Sequence, residues 1–151
     1  MREIPKNTVI RPCDSLETSL AWKHALSKDV GTTCLILSRQ TCEFIPRNSE
    51  QIAGISRGGY VILDDSNFEV IIIATGSEMG IAYEASKKLI EDGVKIRLVS
   101  MPSSSIFDSQ DEDYKNSVIP KDFHKIVTVE AVSPNFWFKY TKAVGIPIGI
   151  N

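Results

Sequence analysis

Alternating strand and helix signals predict an α/β protein, a three-layer α/β/α architecture built on a mostly parallel sheet. Three observations carry that expectation. Extended and helical segments succeed one another along the chain, the pattern of β-α-β units. Two runs, Thr32–Leu37 (TTCLIL) and Val70–Ala74 (VIIIA), are almost uninterruptedly apolar, as in strands covered on both faces. Between the strands lie stretches with capping residues and apolar positions at helical spacing.

In chain order, Thr8–Arg11 (TVIR) is a β-branched strand stopped by Pro12. Asp14 caps a helix, with Glu17 three residues on in the arrangement of a capping box. Leu16, Leu20, Ala21 and Ala25 form its apolar stripe, and Asp29 and Gly31 end it. The strand Thr32–Leu37 completes a unit whose two strands should run parallel. Residues 40–58 lose this order and read as a linker with one helical turn.

Strands Tyr60–Leu63 and Phe68–Ala74 follow, spaced to pair as a hairpin. Ser77 caps a helix reaching Asp92, with a stripe of Ile81, Ala82, Ala85 and Leu89 and a stop at Gly93. Val94–Val99 is a strand. Ser109 and Glu112 form a second capping box for a short helix closed by Pro120, and the strands Lys125–Glu130 and Ile146–Ile150 come last.

Composition narrows the function. Of 151 residues 42% are apolar and 24% charged, enough to build a core, and a net charge of −2 offers no basic surface for nucleic acid or membranes. Three cysteines without a CxxC pair, and two histidines far from them, fit neither a disulfide framework nor a zinc site. With no signal-peptide core and no apolar span of about 18 residues, a reduced, cytoplasmic protein is expected.

Several motifs invite a functional reading. Thr75-Gly76-Ser77-Glu78 joins a buried strand to a helix, where backbone N–H groups make a natural anion site. It lacks the full glycine pattern or a lysine, and a capped helix after a tight turn explains it as well. Asp111-Glu112-Asp113 resembles a metal cluster but also an ordinary acidic first turn. His24 and His124 have no nucleophile beside them. Phe136, Trp137, Phe138 and Tyr140 suit core or interface packing. Arg39 follows directly on the strand TTCLIL, at the carboxyl end of a strand where open α/β sheets bind ligands. From the residues alone, both a strand-end salt bridge and a phosphate contact fit it.

The segments Ile10-Arg11-Pro12-Cys13-Asp14 with Glu17, Ala21-Trp22-Lys23 and Leu35-Ile36-Leu37-Ser38-Arg39-Gln40 occur in this order. After them come Arg57-Gly58-Gly59-Tyr60-Val61, Ile73-Ala74-Thr75-Gly76-Ser77-Glu78, Val99-Ser100-Met101-Pro102-Ser103, Phe107-Asp108 with Gln110-Asp111, and Val129-Glu130-Ala131. Together they resemble the transketolase family over the whole chain. The resemblance implies the end of a pyrimidine-binding domain (a strand-helix-strand fragment) in residues 1–40, a linker in 41–58, and a C-terminal domain in 59–151 that stops before its last segment. It implies a cytoplasmic homodimeric transferase of the pentose phosphate pathway that moves a two-carbon ketol unit between sugar phosphates, using thiamine diphosphate and Mg2+ or Ca2+. Arg39 falls where the family has an arginine contacting the sugar phosphate. No catalytic, cofactor-binding or metal-binding residue carries over, so no cofactor is expected to bind this chain alone and it is expected to be inactive alone. Alternatives are a fragment of deoxyxylulose-phosphate synthase or of a 2-oxoacid dehydrogenase beta subunit, or a non-catalytic α/β interaction module.

Overall fold

The computed structural model describes residues 2, 4–27 and 31–150. Two sheets organise the chain. Strand β1 (Asn7–Ile10), helix α1 (Ser15–Ala25) and strand β2 (Thr32–Leu35) form the expected parallel unit, with Asn7 opposite Thr32 and Ile10 opposite Leu35. The second sheet has five strands in the order β3-β5-β4-β6-β7. These are β3 (Tyr60–Asp64), β4 (Val70–Ala74), β5 (Ile96–Ser100), β6 (Ile126–Val129) and β7 (Ile146–Ile148). All pair in parallel except β3, which runs antiparallel to β5.

The VIIIA run explains why β4 is central. Ile71 and Ile73 are wholly buried on one face, Ile72 and Ala74 on the other, so both faces must be covered. One core collects Ile72, Ala74, Met79, Ala82, Ile96 and Leu98 beneath helix α3 (Glu78–Glu91). The opposite core gathers Ile71, Ile73, Val99, Phe107, Val118 and Trp137 beneath α4 (Ser104–Asp108), α5 (Glu112–Val118), a 3-10 turn (Pro134–Trp137) and α6 (Phe138–Thr141). The α/β/α layering predicted from the alternation is therefore present. No helix among the described residues is long and apolar enough to cross a membrane.

Several local expectations need correction. Strands β3 and β4 do not pair as a hairpin, because β5 lies between them. The connection is held instead by Asp65 N donating to Ile96 O and Glu69 N donating to Lys95 O. The run TTCLIL is not covered on both faces within this chain: β2 ends at Leu35, and Leu37 is 51% exposed. Of the expected stripe helix α3 buries only Ala82, joined by Met79 and Ser86, since Ile81 is 69% exposed and Ala85 and Leu89 also face outward. Ser77 has helical backbone and makes no capping bond.

Asp111, not Ser109, caps α5 by accepting from Tyr114 N at 2.8 Å. Ser109 is already used to close α4, donating to Ile106 O. The end of α1 comes earlier than expected, at Ala25; Asp29 lies outside the described residues.

Residues 41–58 carry more order than a single turn. Helix α2 (Ser49–Ile55) starts with a capping box in which Asn48 and Gln51 exchange backbone-to-side-chain bonds of 2.9 and 3.0 Å. The Gln51 amide also donates to Val61 O and Ile62 O, covering the outer edge of β3. At the turn into β3, Gly58 has φ +85°, and a Cβ there would sit 2.5 Å from Phe107 N and Ser103 O. Glycine is required at that point.

The observed α3 face predicts unequal costs. Met79→Ala should destabilise by about 2–5 kcal/mol, whereas Ile81→Ala should stay within about 0.5 kcal/mol. Urea titration of both variants checks this, and the reverse ranking would favour the stripe read from the spacing.

Candidate functional site

The two sheets meet through their strand ends. Arg11, directly after β1, donates its backbone N–H to Pro102 O at 2.8 Å, just past β5. Its own carbonyl accepts from Gly76 N at 3.1 Å, just past β4. Gly76 has φ +59°, and the Arg11 guanidinium lies so close that a Cβ would fall 3.2 Å from its nitrogens. The carboxyl end of β4, flanked by β5 and β6, is the switch point at which such sheets ordinarily bind ligands. Here the chain fills it with its own cation.

Glu130, following β6 and 1% exposed, is the anion for that cation. It accepts from Arg2 Nη1 and Nη2 at 2.8 and 2.6 Å, from Arg11 Nη1, and from Trp137 Nε1 at 2.8 Å. Arg11 also reaches Glu78 at 3.1 Å. The Thr75–Glu78 turn thus receives an arginine of the smaller unit. Burial works to raise the Glu130 carboxyl, but the hydrogen bonds and charges of Arg2 and Arg11 hold it below the ordinary carboxylate value of 4.5. The group opens on a cleft of about 630 Å³, lined by Arg2, Arg11 and Glu130 as well as by Val9, Ile36 and Phe136. Arg2 stacks on Phe136 at 4.5 Å.

A second buried cluster lies beneath α1. Glu17, 1% exposed, accepts from Cys13 N at 2.8 Å, Tyr60 OH at 2.7 Å and Ser100 Oγ at 2.7 Å. Its side chain is therefore spent on the core and on Cys13 N, and does not return to Asp14 N as a capping box requires. Asp14 does cap the helix, accepting from Glu17 N at 3.0 Å. Arg47 has a fully buried side chain between the two carboxylates. It donates to Asp14 Oδ2 and Ile45 O at 2.5 Å each and to Tyr60 OH at 2.6 Å, and lies 3.6 Å from Glu17 Oε1.

Burial first, then the neighbouring Glu17, pushes the Cys13 thiol and the Tyr60 phenol far up, so neither is a nucleophile or base near neutrality.

Arg39 stands apart. It is exposed, on the segment following β2, at the same strand ends as Arg11. Of the six arginines, Arg2, Arg11, Arg47, Arg57 and Arg97 are ion-paired; Arg39 has no ion pair or hydrogen bond among the described residues. Among the described residues the strand-end salt bridge is thus absent, and the guanidinium fork faces solvent.

The remaining sequence candidates are placed as follows. Asp111 pairs with Arg57 at 2.8 Å. Trp137 and Tyr140 are buried, while Phe138 is half exposed. His124 is exposed, and His24 Nε2 is buried without a hydrogen-bond partner.

Among the described residues no three His, Cys, Asp or Glu side chains converge on a metal position. The buried carboxylates Asp14, Glu17 and Glu130 are already saturated by internal donors. This donor set does not fit a divalent metal or the diphosphate that such a metal holds.

Sequence reasoning missed Arg47, Arg11 and Glu130. One signal was present: Glu17 shares the buried face of α1 with Ala21, and a carboxylate on an apolar stripe demands a buried partner.

Comparison with known proteins gives a consistent result. The family "Transketolase-like TK C-terminal domain" matches residues 58–151. A transketolase of Buchnera aphidicola (subsp. Baizongia pistaciae) is 47% identical over 152 residues, covering 100% of this chain and 23% of that protein. Transketolase 1 of Escherichia coli is 45% identical over 151 residues, covering 99% and 23%. The crystal structure of a Pichia stipitis transketolase in complex with sedoheptulose-7-phosphate superposes with a TM-score of 0.89 at 37% identity, covering 99% of this chain and 21% of that one. The chain therefore spans about a quarter of the length of these relatives.

The Glu130 cluster predicts an acid-sensitive stability. A carboxyl with a depressed folded-state pKa contributes stability above its unfolded value and loses it as pH falls through the folded one. Stability should therefore decline as pH drops below about 4.5. Glu130→Gln should cost about 3 kcal/mol at pH 7 and show a flatter decline. Urea midpoints between neutral and acid pH check both, and parallel curves would mean Glu130 carries no such linkage.

Proposed function

Because the chain belongs to the transketolase family, we propose that it is the C-terminal portion of an enzyme that transfers a two-carbon ketol unit from a ketose phosphate to an aldose phosphate. In this reading residues 1–40 close a pyrimidine-binding domain, 41–58 link it to residues 59–151, and the intact enzyme works as a homodimer. Thiamine diphosphate and Mg2+ or Ca2+ supply the carbanion chemistry there, and they belong with the part of the enzyme outside this chain. The chain's own contribution is a sugar-phosphate contact at Arg39, together with domain and dimer packing.

The observation that carries the phosphate contact is the unpaired, exposed guanidinium of Arg39 at the carboxyl end of a parallel strand pair. A phosphate dianion matches its planar fork, and charge-assisted bonds of that type contribute about 1.5–3 kcal/mol each. Binding energy at the remote phosphate also orients the reacting carbonyl, so turnover as well as affinity depends on it. Support for the substrate class comes from the Pichia stipitis relative in complex with sedoheptulose-7-phosphate.

The test uses a full-length chimera in which this chain replaces the segment it matches in E. coli transketolase 1. The chimera should transfer ketol units from sedoheptulose-7-phosphate. Arg39→Ala should lower kcat/KM about 10- to 100-fold with that donor and much less with hydroxypyruvate, which has no phosphate. Lysine should restore part of the loss, keeping the charge without the fork. Equal losses with both donors would make Arg39 a structural residue.

A further inference from the structure

Arg39 owes its position to a segment that is tethered at two ends and little in between. At the near end Ile36 N donates to Ile10 O at 2.9 Å. At the far end Ile45 is buried, its N–H reaches Asp14 Oδ2 at 3.3 Å, and its carbonyl accepts from Arg47 Nη1 at 2.5 Å. Residues 37–44 make no backbone–backbone hydrogen bond among the described residues. Among the described residues the side-chain hydrogen bond within the segment is a long one, Cys42 Sγ to Gln40 O at 3.8 Å. Leu37 and Phe44 point outward, so little packing restrains the path. For such a segment the anchor points set where its middle can lie.

We propose that Arg47 is a positioning residue for Arg39: by clamping the backbone at Ile45, it fixes the far end of segment 37–44 and so sets where the Arg39 guanidinium meets a substrate phosphate. This inference rests on the phosphate-binding role given to Arg39 above.

Three features single out Arg47. Its side chain is completely buried, so it cannot itself touch a substrate. Its fork holds Ile45 O, Asp14 Oδ2 and Tyr60 OH at once, which ties the segment both to the start of α1 and to β3 of the larger sheet. A lysine, with one nitrogen, cannot span those acceptors. Burying a guanidinium that an apolar side chain could replace is costly, and such groups are retained where they specify one arrangement. Supporting residues of this kind hold a binding group to within about 0.5 Å, and looser placement weakens the contact.

The test again uses the full-length chimera, with sedoheptulose-7-phosphate and hydroxypyruvate as donors. Arg47→Lys leaves Asp14 and Glu17 a buried counter-ion but loses the Ile45 clamp. Its KM for the phosphorylated donor should rise about 5- to 20-fold, while kcat/KM with hydroxypyruvate falls less than about 2-fold. Tyr60→Phe disturbs the same buried cluster without touching Ile45, so it should lower stability and leave the ratio of the two donors unchanged. Equal losses in Arg47→Lys with both donors, no loss with either, or a shift of the donor ratio in Tyr60→Phe as large as that in Arg47→Lys would each overturn the proposal. Arg39→Ala measured alongside separates the two claims. If it discriminates between donors and Arg47→Lys does not, positioning fails and the phosphate contact stands; if Arg39→Ala does not discriminate, both fail.

Discussion

A carboxylate removed from water must be met by donors from every side, and Glu17 is met by four groups from separate parts of the chain. The Cys13 amide comes from the end of β1, Tyr60 from β3, Ser100 from β5, and Arg47 from the stretch between the sheets. Arg47 is shared with Asp14, Ile45 O and Tyr60 OH, so the two carboxylates and their donors form one connected cluster. Removing one partner of a buried pair commonly costs about 3–5 kcal/mol, because the remaining charge is stranded. The strand-helix-strand unit and the five-stranded sheet are therefore registered to each other by chemistry as well as by apolar contact.

The second consequence concerns where a ligand can bind. An open parallel sheet offers its switch point to substrates, but here Arg11 and Glu130 occupy it, and the glycine turn that would cradle an anion receives a guanidinium instead. The proposed phosphate contact lies instead at the strand ends of β1 and β2. There Arg39 is exposed and unpaired, while Arg11 beside it is neutralised by Glu78 and Glu130. Arginines after neighbouring strands thus differ in their surroundings: carboxylates enclose Arg11, and none pairs with Arg39 among the described residues.

Much of the fold was legible because apolar runs are local signals. VIIIA reads as a central strand from its own five residues, and the layers follow from the alternation. The pairing of β3 was not legible: a short turn suggests a hairpin, and insertion of β5 between the strands depends on packing some 30 residues away in sequence. The α3 stripe was rotated from the buried face because Ile81 looks like core by its side chain, yet it is Met79 that is buried and Ile81 that faces outward.

At the site, Arg39 could be singled out by its place after TTCLIL and by the family segment around it. Arg47 could not, since it stands in a polar stretch and finds its acceptors on Asp14 and Tyr60 only after folding. Glu17 looked like a capping residue; its three-residue spacing from Asp14 is real, yet its carboxylate faces the core.

Native-state hydrogen exchange tests the central claim most directly, that the buried polar cluster makes both sheets one cooperative unit. The amide of Ile36 reports on the smaller sheet, that of Arg11 on its junction with the larger, and those of Ile71 and Met101 on the larger. In rising denaturant all four should converge on a single opening free energy. Opening of Arg11 and Ile36 through a separate event about 2 kcal/mol or more below the others would show that the smaller unit is merely attached, and would contradict the account.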